Sequence, residues 1–442
     1  MRAGLFAILC VIGLQPIFLG AVLGIQNSIS QARTWTHIRN AFSQGALPTS
    51  RMTHPNTWLS GGDTYTECIG AGVGLEPGKT VFENAIAVNL PGDGQAQDVC
   101  ADLFAAAATP SNGPSWWSYA RYWHGYRIYE GPAISALPFT ALRGISFALV
   151  SIAFLFCFLE CTKLLGVMTA TAFLTPQLLM TDLLTLYRVT PDVVSAVTIL
   201  VSTALFARAK REAHSAVVLI CLASIGGSLY CFVDLLRNPP WCPMVLTFLT
   251  LADRTSRPSR ETVLTAVLVA TFWFGGYTIT WVSKWLLTSL TMPDLDIMSS
   301  VLDQIKLRSL GRDDGNNVVH FPLYASVRMF KIALIQPSAL LLGGLIFAFI
   351  RLTQGRSTDW QKFWILISPL LIAIAWFELL SNHTQAHAGF AYRSAVVAIG
   401  IILASVVLSV KNGNNRLSLS WRFRNGADGA ARHKQLPQCP TW

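Results

Sequence analysis

Residues 363–380, "FWILISPLLIAIAWFELL", and residues 394–410, "SAVVAIGIILASVVLSV", are two apolar runs separated by a short polar link. Each run has about the length that an α-helix needs to cross the hydrocarbon core of a bilayer. The link reads "NHTQAHAGFAYR" (Asn382–Arg393) and contains two histidines and an arginine. The pattern predicts two membrane helices whose connection carries more polar chemistry than a simple turn requires.

The composition of the whole chain agrees with this interpretation. Of the 442 residues, 52% are hydrophobic and only 13% are charged, whereas soluble proteins carry about a quarter charged residues. The formal net charge of +10 would suit a nucleic-acid-binding protein, but the sequence has no basic stripe with interleaved aromatic residues. Lysines and arginines lie instead in short links between apolar runs and in the C-terminal tail, which is typical of a polytopic membrane protein.

The apolar runs predict an all-α fold with about ten transmembrane helices. The first run is long for the apolar core of a signal peptide, so we interpret it as a retained helix. The run that begins at Cys242 is short and could be re-entrant. The predicted spans are Leu5–Ile25, Phe139–Leu159, Leu164–Leu183, Val193–Ala207, Ala216–Cys231, Cys242–Leu251, Val263–Leu287, Ile332–Ile350, Trp364–Leu380 and Ala395–Val410.

The chain divides into four predicted parts, of which only the second is long enough to fold outside the membrane. It is rich in turn signals such as "SGGD", "PGDG" and "SNGP". The parts are a first transmembrane helix (1–25), an extracytoplasmic loop domain (26–138), a multi-helix transmembrane domain (139–410) and a basic cytoplasmic tail (411–442).

The orientation follows from the basic links at 207–214, 252–261 and 351–362 and from the tail. If successive helices alternate in direction, all of these fall on one side, and the positive-inside rule assigns that side to the cytoplasm. The loop domain and the link at 382–393 then lie on the outer face. We expect a bacterial cytoplasmic membrane protein whose site faces outward.

Cys68 and Cys100 are the two cysteines of the predicted loop domain. In an oxidising compartment they could form a disulfide, and otherwise they would remain free thiols. The sequence leaves both interpretations open.

Ionisable and aromatic residues collect at the predicted outer boundary of the membrane. Asp63 and Glu67 are four residues apart, a spacing that puts both carboxylates on one face of a helix. Ionisable groups at this depth are costly unless they are paired or line a wet cavity, so their convergence predicts a site that opens outward. The other candidates are Arg121, Tyr122, Trp123, His124, Tyr126, Arg127, Asp234, Lys284, His383, His387 and Arg393.

Each of these groups also has a structural interpretation. Asp63 and Glu67 could be surface carboxylates, and "YARYWHGYR" (residues 119–127) could be an interfacial aromatic belt. Asp234 and Lys284 could pair with each other. The two late histidines have helical metal-ligand spacing, but without a further ligand nearby a hydrogen-bonding role is favoured. A divalent ion at the acidic pair is an open alternative.

Four segments resemble an uncharacterised family of bacterial multispanning proteins that are often encoded with surface-polysaccharide genes. They are "GGDTYTE" (61–67), "YARYWHGYR" (119–127), "FWFGGYTITWVSKW" (272–285) and "NHTQAHAGFAYR" (382–393). The layout is also similar to GT-C type membrane glycosyltransferases. That resemblance implies an acidic residue in the first outer loop and a sugar donor carried on a polyprenyl phosphate.

Glycosyl transfer of this kind needs a carboxylate base and partners for a phosphate leaving group. Asp63, with Glu67 as a substitute, is the candidate base, and the cationic and aromatic residues are candidates for binding the donor and a glycan or lipid-linked acceptor. The alternatives are a secondary transporter or flippase, with Asp234 and Lys284 as coupling sites, and an O-acyltransferase with His124 or His383 as base.

Overall fold

The protein is mostly helical in the computed structural model, in agreement with the predicted all-α membrane fold. The predicted span Ile332–Ile350 lies largely outside the described residues, and the predicted tail (411–442) lies wholly outside them. The structure describes residues 2–50, 63–94, 98–109, 115–311, 319, 321–336, 339, 343–344 and 357–410.

A small folded domain follows the first helix. Its two short strands pair antiparallel, with Leu90 opposite Trp117. Its elements, counted from the first helix, are α1 (Arg2–Ser28), α2 (Gln31–Ser43), α3 (Thr64–Gly72), α4 (Val81–Ile86), β1 (Asn89–Pro91), α5 (Val99–Ala108), β2 (Trp116–Ser118) and α6 (Arg127–Ala136).

A disulfide between Cys68 of α3 and Cys100 of α5 holds this loop domain together. Of the two interpretations that the sequence left open, the structure therefore has the bridge. Trp35, Ile38 and Leu103 are buried around it in one apolar cluster. Because a domain of this size buries little apolar surface, a covalent link between two of its helices adds substantially to its stability.

The rest of the described chain is a helical bundle. Its long helices are apolar on all sides, as expected for segments that contact lipid or lie in the centre of a membrane bundle. The long and short helices of the bundle together are α7 (Phe139–Leu165), α8 (Val167–Met180), α9 (Thr190–Arg211), α10 (Ala216–Val233), α11 (Trp241–Leu251), α12 (Arg260–Thr291), α13 (Ile297–Leu310), α14 (Tyr324–Leu334), α15 (Trp360–Ile367), α16 (Leu370–Leu379), α17 (Ser381–Ala386), α18 (Ala388–Ala391) and α19 (Arg393–Ser409).

Seven segments of the described chain are long and apolar enough to cross a membrane, and each matches a predicted span. Two further predicted spans correspond to α8 and α11, which have 14 and 11 residues and are shorter than the roughly 20 residues that a crossing needs. The seven segments are Gly4–Ser28, Phe139–Leu165, Thr190–Arg211, Ala216–Val233, Arg260–Thr291, Trp360–Leu379 and Ala388–Ser409.

The helices α10 and α12 cross with their backbones in close contact. A Cβ atom on Gly227 would lie 2.0 Å from the carbonyl oxygen of Trp273, and one on Gly276 would lie 2.0 Å from that of Ser224. Only glycine fits at these two positions, because a Cβ atom would clash with the facing backbone. Close packing through small residues is common between lipid-embedded helices. The crossing fixes the direction in which α12 reaches the loop domain.

The loop domain sits at one end of the bundle, which we call the loop-domain end. Arg143, early in α7, donates to the carbonyl of Ala46 (2.6 Å), and Lys284, late in α12, donates to that of Ile86 (2.6 Å). The basic link residue Arg254 lies at the opposite end, where it donates to the carbonyl of Leu164 (2.9 Å). The loop domain and the basic link at 252–261 are therefore at opposite ends of the helices.

Candidate functional site

Asp63 is the N-terminal cap of α3 at the junction of the loop domain and the bundle. Thr66 donates its backbone N–H (3.2 Å) and its hydroxyl (2.7 Å) to the carboxylate. Arg237, in the link between α10 and α11, approaches the same carboxylate at 3.2 Å. Burial acts to raise the pKa of Asp63, but Arg237 and the bonds from Thr66 outweigh it and lower the pKa. Asp63 is therefore ionised at neutral pH.

Arg237 connects Asp63 to a buried chain of charges. Its second guanidinium nitrogen pairs with Asp192, in the first turn of α9, where the helix dipole favours a carboxylate. The other oxygen of Asp192 accepts from Arg393 (3.1 Å), which also lies 3.5 Å from Asp182. The charged groups thus follow one another in space in the order Asp63, Arg237, Asp192, Arg393 and Asp182. They come from four separate segments of the sequence.

Exposure divides this charged chain into a core and two ends. The side chains of Asp192, Arg237 and Arg393 are almost completely buried, whereas those of Asp63 and Asp182 are 28% and 27% exposed. Three carboxylates face two guanidinium groups, which leaves one formal negative charge. Arg393 begins α19, where the dipole disfavours a cation, so its position depends on the two aspartates that flank it.

The late histidines lie against the same link. The ring of Phe390 packs under the guanidinium of Arg237 (4.6 Å) and stacks on His387 at 5.1 Å. His383 lies 4.6 Å from His387 and contacts the carbonyl oxygen of Leu236 at 3.0 Å. Burial, together with neighbouring His387 and Arg308, holds the pKa of His383 well below its usual value. His383 is therefore neutral around neutral pH. Through its contact with Leu236 it packs against the link that carries Arg237.

Glu67 lies one turn after Asp63 but has different partners. It is buried and accepts from the backbone N–H (2.6 Å) and hydroxyl (3.4 Å) of Thr190, the first residue of α9. Glu130 of α6 lies close by, since a Cβ atom on Gly70 would fall 2.5 Å from its carboxylate. Burial raises the pKa of Glu67 to about 7 and also raises that of Glu130. The two carboxyls share one buried environment between α3, α6 and α9.

Much of the aromatic segment 119–127 is packed inside the protein. Trp123 donates its indole N–H to the carbonyl of Thr280 (2.8 Å). Both ring nitrogens of His124 are engaged, by the Tyr126 hydroxyl (2.9 Å) and the Tyr119 carbonyl (3.0 Å). Arg127 is buried and donates to Gln26 and to the carbonyl of Asn84. Trp123 therefore bonds to the bundle and Arg127 bonds to α1 and to the loop domain, whereas His124 and Tyr126 bond to each other within the segment.

Arg121 and Tyr122 are placed differently, since both line a cavity between this segment, α12 and α13. Asp234 and Lys284, which could have paired, each have another partner. Asp234 accepts from the backbone N–H of Arg237 (3.0 Å), and Lys284 donates to the loop domain and lies 5.6 Å from the ring centroid of Trp123.

The sequence analysis did not single out Asp192, Arg237, Asp182 or Arg308. Arg237 lies in the same segment as Asp234, "YCFVDLLRNPP". The two prolines that follow it indicate the end of a helix, and an arginine at such a boundary was the feature that could have pointed to it. Asp192 follows a proline at the start of an apolar run, a pattern typical of a helix N-terminus rather than of a site. Arg308 belongs to α13, which lies between two predicted spans and carries no motif that marks a site.

Among the residues that the structure describes, no group of three or more His, Cys, Asp and Glu side chains is arranged to hold a metal ion. The carboxylates of Asp63 and Glu67 have separate protein partners. Comparison of the chain with protein-family models, with curated proteins and with solved structures finds no match. The chemistry of the site is therefore argued from its own geometry.

Proposed function

We propose that this protein is a membrane glycosyltransferase that uses a sugar donor on a polyprenyl phosphate and acts at the loop-domain end of its helices. The observation that carries the proposal is Asp63, an ionised and partly exposed carboxylate held between Thr66 and Arg237 at the junction of the loop domain and the bundle. A carboxylate fixed by two partners keeps one geometry, as a catalytic base must.

In this proposal Asp63 accepts the proton of the acceptor hydroxyl as that oxygen bonds to the anomeric carbon of the sugar. The hydroxyl becomes acidic only as the new bond forms, so a carboxylate with a lowered pKa is a sufficient base. The bond from the anomeric carbon to the phosphate oxygen breaks, and its electron pair leaves with the polyprenyl phosphate. Arg237 positions Asp63 and keeps it ionised before the acceptor arrives.

The acceptor in this proposal is a cell-envelope glycan or a lipid-linked saccharide, and the membrane is the bacterial cytoplasmic membrane with the site outward. The disulfide in the loop domain supports an oxidising compartment at that end. The arginines at the opposite end, Arg254 and Arg257, support a cytoplasmic location for that end.

A second candidate function is transport of a lipid-linked saccharide. It is favoured by the buried charges of Asp192 and Arg393, which lie at the ends of two membrane-spanning segments. Ionisable groups at such positions often mark substrate or ion pathways. Transport would move the saccharide across the bilayer without breaking its bond to phosphate, so the chemical integrity of the lipid-linked sugar distinguishes the two candidates.

The test compares two cap substitutions in the loop domain. Asp63→Asn retains the helix cap, because asparagine caps as well as aspartate, but it removes the base. Asp98→Asn makes the same change at the cap of α5. We expect Asp63→Asn to lower sugar transfer about 100-fold or more and to cause lipid-linked sugar to accumulate in cells, measured by mass spectrometry of lipid extracts. Asp98→Asn should behave as wild type, and full activity in both Asp63→Asn and Glu67→Gln would overturn the proposal.

A further inference from the structure

A cavity lies between residues 121–122, the second half of α12 and the helix α13. One side of α13 faces it, with residues that recur at the i, i+3, i+4 and i+7 spacing of a helix face. Aromatic rings from the other two elements form the remaining walls. The lining residues are Arg121, Tyr122, Trp281, Trp285, Val301, Gln304, Ile305 and Arg308.

Two arginines in this cavity have buried nitrogens without an acceptor. Arg121 donates from Nη1 to the Ser300 hydroxyl (3.2 Å), but its Nε has no partner in the described part of the chain. The same holds for Nη1 of Arg308, whose guanidinium carbon lies 5.8 Å from the ring centroid of Tyr122. Buried cationic donors are costly unless an acceptor compensates them. Both arginines are lining residues of the cavity, which therefore has two cationic side chains in its wall.

These arginines differ from the other cations at the loop-domain end. Arg237 and Arg393 are each held by two aspartates, and Lys284 is bonded to the carbonyl of Ile86. The charges of Arg237 and Arg393 are therefore compensated by carboxylates, whereas Lys284 has a neutral acceptor. No carboxylate is among the residues that line the cavity, so no lining residue compensates the charge of Arg121 or Arg308.

The aromatic walls are held in fixed positions. Trp281 and Trp285 both donate their indole N–H to the carbonyl oxygen of Arg121, at 3.0 and 3.1 Å. Tyr122 stacks on Trp281 with 6.1 Å between ring centroids and 21° between planes. A pocket with fixed rings loses little side-chain entropy when a ligand enters.

The side of α13 next to the cavity-lining face is apolar and exposed. Met298, Leu302 and Ile305 are 45%, 55% and 46% exposed, and their spacing puts them on one helix face. Ile305 also lines the cavity, so its mouth borders this face. Leu290, near the end of α12, adds to the apolar surface with 82% exposure. In a membrane protein such a surface lies against lipid, and an amphiphile could enter the cavity sideways from the bilayer.

We propose that this cavity binds the phosphate headgroup of a polyprenyl phosphate, with Arg121 and Arg308 on the phosphate oxygens and the lipid chain along the apolar face of α13. Arginine suits this role because its planar donors match two phosphate oxygens at once. The inference rests on the proposed function for the identity of the lipid. It assigns the donor a place near the segment of the histidine pair, since Asn382 of α17 donates to the carbonyl of Leu307 on α13.

The experiment measures binding without turnover, on the purified full chain in nanodiscs, by native mass spectrometry. The probes are undecaprenyl phosphate, undecaprenol and inorganic phosphate. We expect undecaprenyl phosphate to bind at least tenfold more tightly than undecaprenol. Millimolar inorganic phosphate alone should compete weakly, because it lacks the apolar chain. Equal binding of the alcohol, or full competition by inorganic phosphate, would overturn the proposal.

The variants separate this pocket from the catalytic claim. Arg121→Gln and Arg308→Gln should each weaken undecaprenyl phosphate binding at least tenfold, with Arg308→Lys intermediate as a charge-retaining check on folding. Lys306→Gln, an exposed charge two residues away on α13, should bind within twofold of wild type, and unchanged binding in the double arginine variant would refute the site. Asp63→Asn should bind the lipid normally. If it also stays active, the glycosyl-transfer proposal fails and the pocket stands.

Discussion

Asp63, the cap of α3 in the loop domain, forms a 3.2 Å ion pair with Arg237, which lies 174 residues further along the chain. This contact ties the loop domain to the link between α10 and α11. It also sets the protonation state of the proposed base, because Arg237 is the main group that lowers the pKa of Asp63 against the effect of burial. The behaviour of this pair is therefore the first property to measure.

Replacing Arg237 should change the pH dependence of activity. A carboxylate with a lowered pKa stays ionised until the pH falls below that value, so the wild type should keep its activity into acidic solution. In Arg237→Gln the pKa of Asp63 should rise, because the main group that lowers it is gone. The acidic limb of the rate profile should move upward by the same amount. Arg237→Lys, which keeps the charge, should shift it less, and an unmoved limb in Arg237→Gln would contradict the assigned base.

Asp192 should matter more for stability than any exposed ion pair. Its carboxylate is shared by the buried Arg237 and Arg393, so Asp192→Asn leaves both guanidinium groups short of a partner. Loss of one partner of a buried pair costs about 3–5 kcal/mol. Thermal unfolding in detergent should show a clearly lower midpoint. The matched change Arg208→Gln, which breaks the exposed pair with Glu212, should cost at most about 1 kcal/mol.

Glu67 should make stability fall as the pH rises. Burial raises its pKa to about 7, above the ordinary 4.5, so the folded protein binds more protons than the unfolded chain between these values. Its contribution is fully present below about pH 4.5 and is lost as the pH rises through about 7. Glu67→Gln imitates the neutral acid and should flatten this part of the curve of unfolding midpoint against pH. An equally steep curve in the variant would show that Glu67 is not the group responsible.

Two adjacent glycines of α12 provide a matched test of the bundle. Gly276→Ala would force a Cβ atom to 2.0 Å from the carbonyl of Ser224, whereas no atom lies within 4 Å of the corresponding position on Gly275. We expect Gly276→Ala to destabilise the protein by about 1–3 kcal/mol or more. Gly275→Ala should be neutral or slightly stabilising, because alanine favours helix. Similar unfolding midpoints for the two variants would mean that α10 and α12 do not cross at Gly276.

The predicted cations fall into two groups in the structure, according to whether they bond to carbonyls and carboxylates of the protein or line the cavity beside α13. The sequence treated Arg121, Arg127, Lys284 and Arg393 alike, as cations near a membrane boundary. In the structure, Arg127 and Lys284 bond to backbone carbonyls and Arg393 to aspartates, whereas Arg121 donates to the hydroxyl of Ser300 and lines the cavity beside α13. The difference lies in which carboxylates and carbonyls are within reach, and those come from distant segments.

The sequence by itself determined the membrane class of this protein, seven helices that are long and apolar enough to cross a membrane, and the basic character of the links between them. These properties depend on local patterns, because apolar run length and the position of lysine and arginine act over one helix at a time. Only the tertiary structure decided that Asp63 pairs with Arg237, that Asp192 joins Arg237 to Arg393 and that Arg308 and Arg121 line one cavity. Such contacts depend on how helices cross and where they end, and no spacing along the chain encodes a meeting of side chains from separate helices.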